Sequence, residues 1–573
     1  VQRLQVRRLS ALDHAAVVAV ERRIYPARMQ EHAALIAARL RFEDERYSSL
    51  NLGLFDDDAL VGYVLAHLDD GTEFRDAGIG DNIYIADLAV LPLHRRQLVQ
   101  LMSALAREAR LEYPGLPLVA HAIGTTGEMW RRHPSLFRRL GLVLSRKVDH
   151  IPMPGGHAAS LMVWMPAPDA LPATRPRRPA ETIQTPSGRR LEVRVIDDED
   201  GLRTLESVWT RLESTAPGLT VFQTFAYQAA WVRAFGLGQE LLVLCIHDGP
   251  EVVGIAPFQI SPVHIHGKVH RQLSFLGAPW EVDRPRFLFS RDAEDCARAT
   301  TRTLLARRDR WDLIWFHEQD AADPVLAAFC DELAAGGLLH GRAPGSHCPY
   351  LTLHGTWQQF LAGKSQKFRK NLRASRRKLE ALGRLEYSSC AGDADRLHGL
   401  FSEYEALEAR SWKARGGVGV TQSLEHLRFY RQLIEAFGDQ GRFVVRTLRL
   451  DGQLVAATFG VVHGRSYYSL HIAHDAAYAA CSPGTLLEAM ELEECFGAGL
   501  DEYEFLGGFL KNKVRWTDQM RDTVFVHLYQ RRPRLLAGYA YYFLAKPPLK
   551  RMLDRLGWRR LVKARTDRVE AAA

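Results

Sequence analysis

The chain has 573 residues, 47% of them hydrophobic and 25% charged, with a formal net charge of +8. That is material for two to four domains, each with its own core, and the composition excludes a disordered or fibrous chain. No apolar run reaches the about 18 residues of a transmembrane helix, and no apolar region follows the charged start Val1–Arg8, so no secretory signal is expected.

Leu4–Arg8 reads as a short strand. Helical periodicity covers Ser10–Tyr25 and His32–Phe42. Ser49–Phe55 and Leu60–Leu68 read as strands joined by the acidic turn Asp56-Asp57-Asp58. Asn82–Leu91 is a strongly apolar strand that Pro92 ends. A helix (Leu98–Arg110), a strand (Leu118–His121), a helix (Met129–Leu140) and a strand (Leu142–Lys147) follow. The passage from Tyr84-Ile85-Ala86-Asp87-Leu88 through Pro92, Arg95 and Arg96 to Leu101 resembles the central motif of the GNAT acetyltransferases, and the Leu-Phe-Arg-Arg-Leu-Gly-Leu run at 136–142 resembles that family's C-terminal passage. In the family, a loop of small residues after that strand cradles the CoA pyrophosphate. Here Leu98 and Gln100 stand at those positions, where side chains would block approach to backbone amides. Residues 1–165 are therefore expected to form a degenerate GNAT-like domain with a structural or partner-binding role.

Prolines and arginines crowd Pro154–Arg189, and a linker is expected over residues 166–189. Beyond it the chain reads as two more α/β halves, 190–350 and 351–530. The first has strands at Leu191–Ile196, Glu240–Ile246, Glu251–Ile260 and Trp311–Phe316, with helices at Gly201–Glu213, Phe225–Phe235 and around Pro324–Gly336. The second has strands at Arg442–Leu450, Leu454–Val462 and Ser466–Ile472. Then comes a helix opened by Ser482-Pro483-Gly484-Thr485, a strand at Glu502–Leu506, and the basic residues Lys511, Lys513 and Arg515. Pro at a first helical turn costs little, Ser482 reads as the side-chain cap, and the free amides there make an anion site.

The order Phe222-Gln223, Asp248-Gly249 with Val253-Gly254-Ile255-Ala256-Pro257, the basic stretch Lys364–Lys378, Arg410-Ser411-Trp412-Lys413, Phe429-Tyr430, Asp451-Gly452, Asp475, Ser482-Pro483-Gly484, and Gly508 with Lys513 resembles the CelD/BcsL acetyltransferase family. That family belongs to the FemAB-like, double-GNAT group, and the resemblance covers about residues 190–530. It implies an α/β (α+β) fold of tandem GNAT-like domains with mixed central sheets flanked by helices. It also implies an N-acyltransferase using acyl-CoA, acetyl or longer, as co-substrate with no tightly bound cofactor. The acceptor would be an amine or hydroxyl of a sugar, amino acid or cell-envelope or exopolysaccharide precursor. Phe509, Leu510, Lys511 and Asn512 depart from the family's acidic and Tyr pattern before Lys513.

Acyl transfer needs a phosphate cradle, a stabilised oxyanion and a proton acceptor. The cradle candidates are Ser482, Pro483, Gly484, Thr485, Lys513 and Arg515. The proton-acceptor candidates are Glu408, His471, His474, Asp475 and Glu504, with Glu408 placed one helical turn before Trp412. For Lys513, His471 and Asp475 the plain alternatives are a solvated lysine, a structural hydrogen-bonder and a turn former. Lys364–Lys378 carries eight basic residues and no acid on a helix with an apolar seam. Its Lys367, Arg369 and Arg373, with Trp412 and Lys413, are expected to face a substrate or polyanion.

Seven scattered cysteines without a CxxC pair argue against a disulfide framework and a structural zinc, and His264, His266 and His270 have no acid or Cys nearby to complete a metal site. No metal is expected. The tail, 531–573, is basic and amphipathic. Its apolar run Leu535–Ala545 either packs on the core or lies in a membrane interface, which would make a cytoplasmic protein peripheral at the inner membrane face. Two other readings stay open: aminoacyl transfer from charged tRNA, and a non-catalytic scaffold or RNA-binding protein. Oligomeric state is not legible.

Overall fold

The computed structural model describes residues 4–25, 33–40, 50–56, 59–69, 79–113, 115–122, 142–153, 157–166, 181–185, 187–236, 239–265, 268–278, 281–411, 413, 419–422, 424–507, 513–540 and 543. The expected helix Met129–Leu140, residue Trp412, the 508–512 run, the side chains of His264 and His266 and most of the tail lie outside them.

The first unit holds strands β1 (Leu4–Arg8), β2 (Leu52–Asp56), β3 (Ala59–Asp69), β4 (Asn82–Val90), β5 (Leu118–Ala122), β6 (Leu142–Met153) and β7 (His157–Pro166). They form one sheet in the order β1-β2-β3-β4-β5-β7-β6, in which only β4 and β5 run parallel. The helix Leu98–Glu112 makes the crossover that a parallel pair requires. On β4 the register skips Ala86, a bulge that bends the strand. The Pro-rich interval starts later than its first proline: β7 belongs to this sheet.

Strands β8 (Glu181–Gln184), β9 (Arg190–Ile196), β10 (Glu240–Asp248), β11 (Glu251–Ile265), β12 (Lys268–Phe275), β13 (Leu288–Phe289), β14 (Leu313–Asp320) and β15 (Leu339–Thr352) follow. After them come β16 (Leu385–Cys390), β17 (Phe443–Leu450), β18 (Gln453–His463), β19 (Ser466–His474), β20 (Glu502–Glu504) and β21 (Met520–Tyr529). They make one continuous sheet, β16-β17-β18-β19-β20-β15-β21-β14-β12-β11-β10-β9-β8, with β13 on β11. Its parallel pairs are β12 with β14 and β19 with β20. Each encloses a helix, Ala293–Ala306 in the second unit and Pro483–Gly497 in the third.

Two features depart from the sequence reading. Glu181–Gln184, inside the expected linker, pairs with β9 as a hairpin. β21 returns from the end of the third unit and inserts between β14 and β15, so the two halves exchange strands. They also share a core. Trp209, Phe222, Tyr227 and Trp231 of the second unit pack into one cluster with Phe401, Tyr404, Phe429, Tyr430 and Phe459 of the third. Truncating any of these buried aromatics to Ala would cost about 3–5 kcal/mol. The other face of the third unit is covered by helices Gln366–Glu380 and Pro483–Gly497, which meet through Leu379, Leu486 and Leu487. No helix among the described residues is long and apolar enough to cross a membrane, which says nothing about strands.

Candidate active site

Pairing between β19 and β20 is short, running from Ser466–Glu502 to Tyr468–Glu504. β19 continues six residues beyond its last pair, to His474, so the two parallel strands part. The parting begins beside a bulge, because Phe459 faces His471 and Gly460 faces Ser469, leaving Leu470 unpaired. The start of helix Pro483–Gly497 lies at this gap. A Cβ on Gly484 would stand 3.2 Å from His474 Nδ1 and 3.8 Å from Ile472 Cδ1. Alternation along a strand puts His471 on the opposite face from Ile472 and His474. The gap therefore connects a helix start on one face with His471 on the other.

The helix start has the character of an anion site. Pro483 is in its first turn and no acid is. Arg515 Nη1 donates to Thr485 Oγ1 at 2.9 Å, and the Lys513 ammonium donates to the Leu506 carbonyl nearby. Burial lowers the Lys513 ammonium, and the Glu488 charge only partly offsets this. Ser482 corrects the sequence reading. It sits at φ 52° and ψ 51° with no side-chain capping bond, so its left-handed backbone turns the chain into the helix and its hydroxyl caps nothing. The equivalent start in the second unit is preceded by Asp292 and carries Glu294 and Asp295 in its first turn, which repels anions. That of the first unit carries Leu98, with Val99 39% exposed.

On the other face, four groups surround Glu281, three of them at its carboxylate. The Tyr430 hydroxyl donates to Oε2 and lies 2.7 Å from His471 Nε2. His426 Nε2 is 3.2 Å from Oε1, and Tyr227 donates to the Glu281 backbone oxygen at 2.5 Å. Tyr430 has one proton, and it points to Glu281. His471 Nε2 is then the donor to the Tyr430 oxygen, which leaves the lone pair on Nδ1. Burial alone would raise the Glu281 carboxyl, but the His426 hydrogen bond and the His471 imidazole 3.8 Å from Oε2 hold it well below the usual carboxylate range. Burial lowers the His471 imidazole, more than Glu281 raises it, so it is neutral at pH 7. Burial, then the Glu281 charge, pushes the Tyr430 phenol well above its ordinary value.

A second ionic group spans the units beside this one. Arg284 Nη2 donates to Glu504 Oε1 at 2.8 Å, and Arg521 Nε donates to the same oxygen at 3.0 Å. Arg284 is 5% and Glu504 2% exposed. Asp283 Oδ2, Glu504 Oε2 and Arg284 Nε and Nη1 have no hydrogen-bond partner. Burial lifts the Asp283 carboxyl and takes the Cys348 thiol to about 12, which removes Cys348 as a nucleophile. Glu281, Arg284 and Glu318, in or beside these groups, and Ser482 and Leu506, at the helix start and the Lys513 contact, have positive φ. Each such non-glycine residue costs about 1–3 kcal/mol and persists where its surroundings over-determine it. Replacing Arg284 by Ala strips Glu504 of its buried partner and leaves it only the part-exposed Arg521, so urea unfolding should show a loss of about 3–5 kcal/mol.

The remaining predicted residues divide. Glu408 is fully buried and accepts from Tyr404 Oη at 3.0 Å, Thr421 N at 2.8 Å and Thr421 Oγ1 at 3.0 Å. Its oxygens accept these three bonds, and Lys413 Nζ lies 3.6 Å from Oε1. Its helix ends at Ala409, before the turn that would have put Trp412 on its face. Asp475 accepts from Ala477 N at 2.9 Å and Arg410 Nε at 3.0 Å, a turn former. Glu504 is a structural ion-pair partner. On helix Gln366–Glu380, Lys367 and Arg373 are exposed and Arg369 half-buried, while Lys378 donates to the Ala480 carbonyl just before the helix start. In the tail, Leu535, Tyr539 and Phe543 pack against Tyr529 and Val263 of the sheet.

Sequence reasoning missed Glu281, His426, Asp283, Arg284 and Glu488, and named Tyr430 only as part of a motif, with no role. Glu488 lies one turn after Gly484, accepts from Trp516 Nε1 at 2.5 Å, and is raised by burial to about 7. Its raised value means that stability is fully present below about pH 4.5 and is lost as pH rises towards 7. Glu488→Gln keeps the Trp516 bond. It should match the wild type in thermal melting at pH 4.5 and exceed it at pH 8.

Residues 366–512, about a quarter of the chain, match the family model described as Acetyltransferase (GNAT) domain. No curated protein matches. Among solved structures, FemX is 12% identical, with a TM-score of 0.40 and coverage of 56% of this chain and 95% of its own. A tandem GNAT protein from the clavulanic acid biosynthesis pathway is 14% identical, with a TM-score of 0.36 and coverage of 59% and 98%. NAA60 of Arabidopsis thaliana in complex with acetyl-CoA is 15% identical, with a TM-score of 0.24 and coverage of 28% and 99%. Likenesses at this level do not bear on chemistry. The family model's match to an Acetyltransferase (GNAT) domain takes in β19, His471 and the open helix start.

Proposed function

We propose that this chain transfers an acyl group from acyl-CoA, acetyl or longer, to an amine or hydroxyl of a sugar, an amino acid or a cell-envelope or exopolysaccharide precursor. The observation that carries this reading is the gap between β19 and β20, which joins an acid-free helix start to the neutral His471. The amides of Gly484 and Thr485, with Arg515 and Lys513, would hold the donor's pyrophosphate. The acyl thioester would pass through the gap. The acceptor nitrogen or oxygen attacks the thioester carbonyl as its proton moves to His471 Nδ1. The new C–N or C–O bond forms, the C–S bond breaks, and the proton leaves with the CoA thiol. Glu281 stays ionised throughout, orients Tyr430 and His471, and stabilises the imidazolium. The third unit is the catalytic one on this reading. The second contributes Glu281 and Arg284, and the first has given up CoA binding. FemAB-like and CelD/BcsL membership accords with the shared core and exchanged strand of the tandem pair. A cytoplasmic setting, where acyl-CoA is available, fits the same reading.

The test is thiol release from acetyl-CoA across a panel of amino sugars and amino acids, as a function of pH. Because His471 must be neutral, kcat/KM should rise with pH through a midpoint below about 6.5 and stay level to pH 8. A rate that falls across that window contradicts the assignment of the base.

One observation favours a second donor. Helix Gln366–Glu380 exposes Lys367, Lys370, Arg373, Arg377 and Lys378, and ends beside the 476–482 turn. That face suits a polyanionic donor such as charged tRNA. Binding of tRNA should then weaken with salt by a log–log slope of about −0.7 to −0.9 per neutralised phosphate, and the Lys367→Glu, Arg373→Glu pair should flatten it. A slope unchanged in that pair removes this reading.

A further inference from the structure

Arg107 and Glu108 are neighbours on helix Leu98–Glu112 of the first unit, and each grips a different helix of the tandem module. Arg107 Nη1 donates to the Gly236 carbonyl at 2.7 Å and Nη2 to the Val232 carbonyl at 3.0 Å. Those carbonyls end helix Phe225–Phe235, where a cation also meets the negative end of the helix dipole. Glu108, 2% exposed, accepts from Arg428 Nη1 at 2.8 Å and pairs with Arg8. The Arg8 backbone N–H donates to Glu425 Oε1 at 2.9 Å. Glu425 and Arg428 belong to helix Leu424–Phe437.

The two gripped helices pack on each other. Phe429 lies 5.2 Å from Tyr227 and 5.5 Å from Phe235, and Phe235 lies 5.0 Å from His426, all between ring centres. Between them they carry Tyr227, His426 and Tyr430, three of the groups around Glu281. On helix Leu424–Phe437, His426 lies between the two residues the first unit holds, and Tyr430 lies two residues beyond Arg428.

We propose that the first unit is a clamp on the proton-handling set. Arg107 and Glu108 fix the two helices relative to each other, and through them place Tyr227, His426 and Tyr430 around Glu281 and His471. Both are positioning residues that touch no substrate. This rests on the reading of Glu281, Tyr430 and His471 given above. It also gives the degenerate unit a role: the end of its crossover helix works where the start, with Leu98 and Gln100, does not suit a phosphate.

The test is Glu108→Gln in the full chain, an isosteric change that removes the charge shared by Arg8 and Arg428. Two readouts are followed: the pH titration of the His471 imidazole by NMR, and amide exchange across the chain. The groups that face His471 are Glu281, Tyr430, Glu408 and Lys413, and none is altered. The clamp predicts that the His471 midpoint rises towards the ordinary value of about 6.5 as the pocket loosens. It also predicts exchange about tenfold faster in 225–235 and 424–437, with 443–474 unchanged. Arg428→Lys, which keeps the charge, should leave both readouts near wild type. If Glu108→Gln does not fold, Arg107→Ala, with its side chain 26% exposed, should give the same rise and the faster exchange in 225–235. A lower melting temperature with an unmoved midpoint would mean a merely structural role and would overturn the proposal. Neither readout needs an acyl donor, so failure of the acyl-CoA reading would be distinguishable from failure of the clamp.

Discussion

Glu281→Gln is expected to lower the rate of acyl transfer by about 10²- to 10⁴-fold while leaving acyl-CoA affinity close to wild type. The substitution keeps shape and removes charge. Tyr430 and His426 both reach the Glu281 carboxylate, and its second oxygen lies 3.8 Å from His471 Nε2. A glutamine presents one acceptor and an amide donor, so Tyr430 and His426 can no longer both be satisfied. The orientation of His471 goes with them, and so does the charge that stabilises an imidazolium. Steady-state kcat and KM should show the loss in kcat. An unchanged kcat would remove Glu281 and the tautomer it fixes from the mechanism.

Gly484→Leu is expected to weaken acyl-CoA binding by about 100-fold or more, roughly 2.7 kcal/mol. A phosphate at a helix start needs the backbone amides bare. Even a Cβ at this glycine stands 3.2 Å from His474 Nδ1, and a leucine must extend over the opening. The control is Gly497→Leu at the other end of the same helix, where a Cβ meets nothing within 4 Å and binding should be unchanged. Equal loss in both variants would point to damage to the helix rather than to a binding site.

Much of this was legible in the chain because it is local. Pro483-Gly484-Thr485 announces a helix start suited to an anion within three residues, and β17 and β18 declare themselves as short apolar runs on either side of the Asp451-Gly452 turn, with β19 following. His471 could be named because it sits on such a strand. Glu281 could not, and Tyr430 stood out only as part of a motif. Glu281 lies in an irregular stretch before β13, 190 residues from His471, and only the shared core of the two units brings them together. Tyr430 belongs to the Phe429-Tyr430 motif, which by itself assigns no role, and it is buried with the core. Ser482 misled because capping preference is scored on the side chain, whereas the backbone at φ 52° decided its role. β21 escaped notice because Arg521 and Asp522 interrupt its apolar pattern, and its place between β14 and β15 depends on pairing across more than 160 residues.

The central claim is that an acyl-CoA binds at the Pro483–Thr485 helix start. Isothermal titration of the purified chain with acetyl-CoA and with a long-chain acyl-CoA tests it most directly, with Lys513→Ala alongside. The account predicts saturable binding of at least one of them at one site per chain, with a clear loss in Lys513→Ala. No binding of either, or full binding retained in Lys513→Ala and Gly484→Leu together, would contradict it.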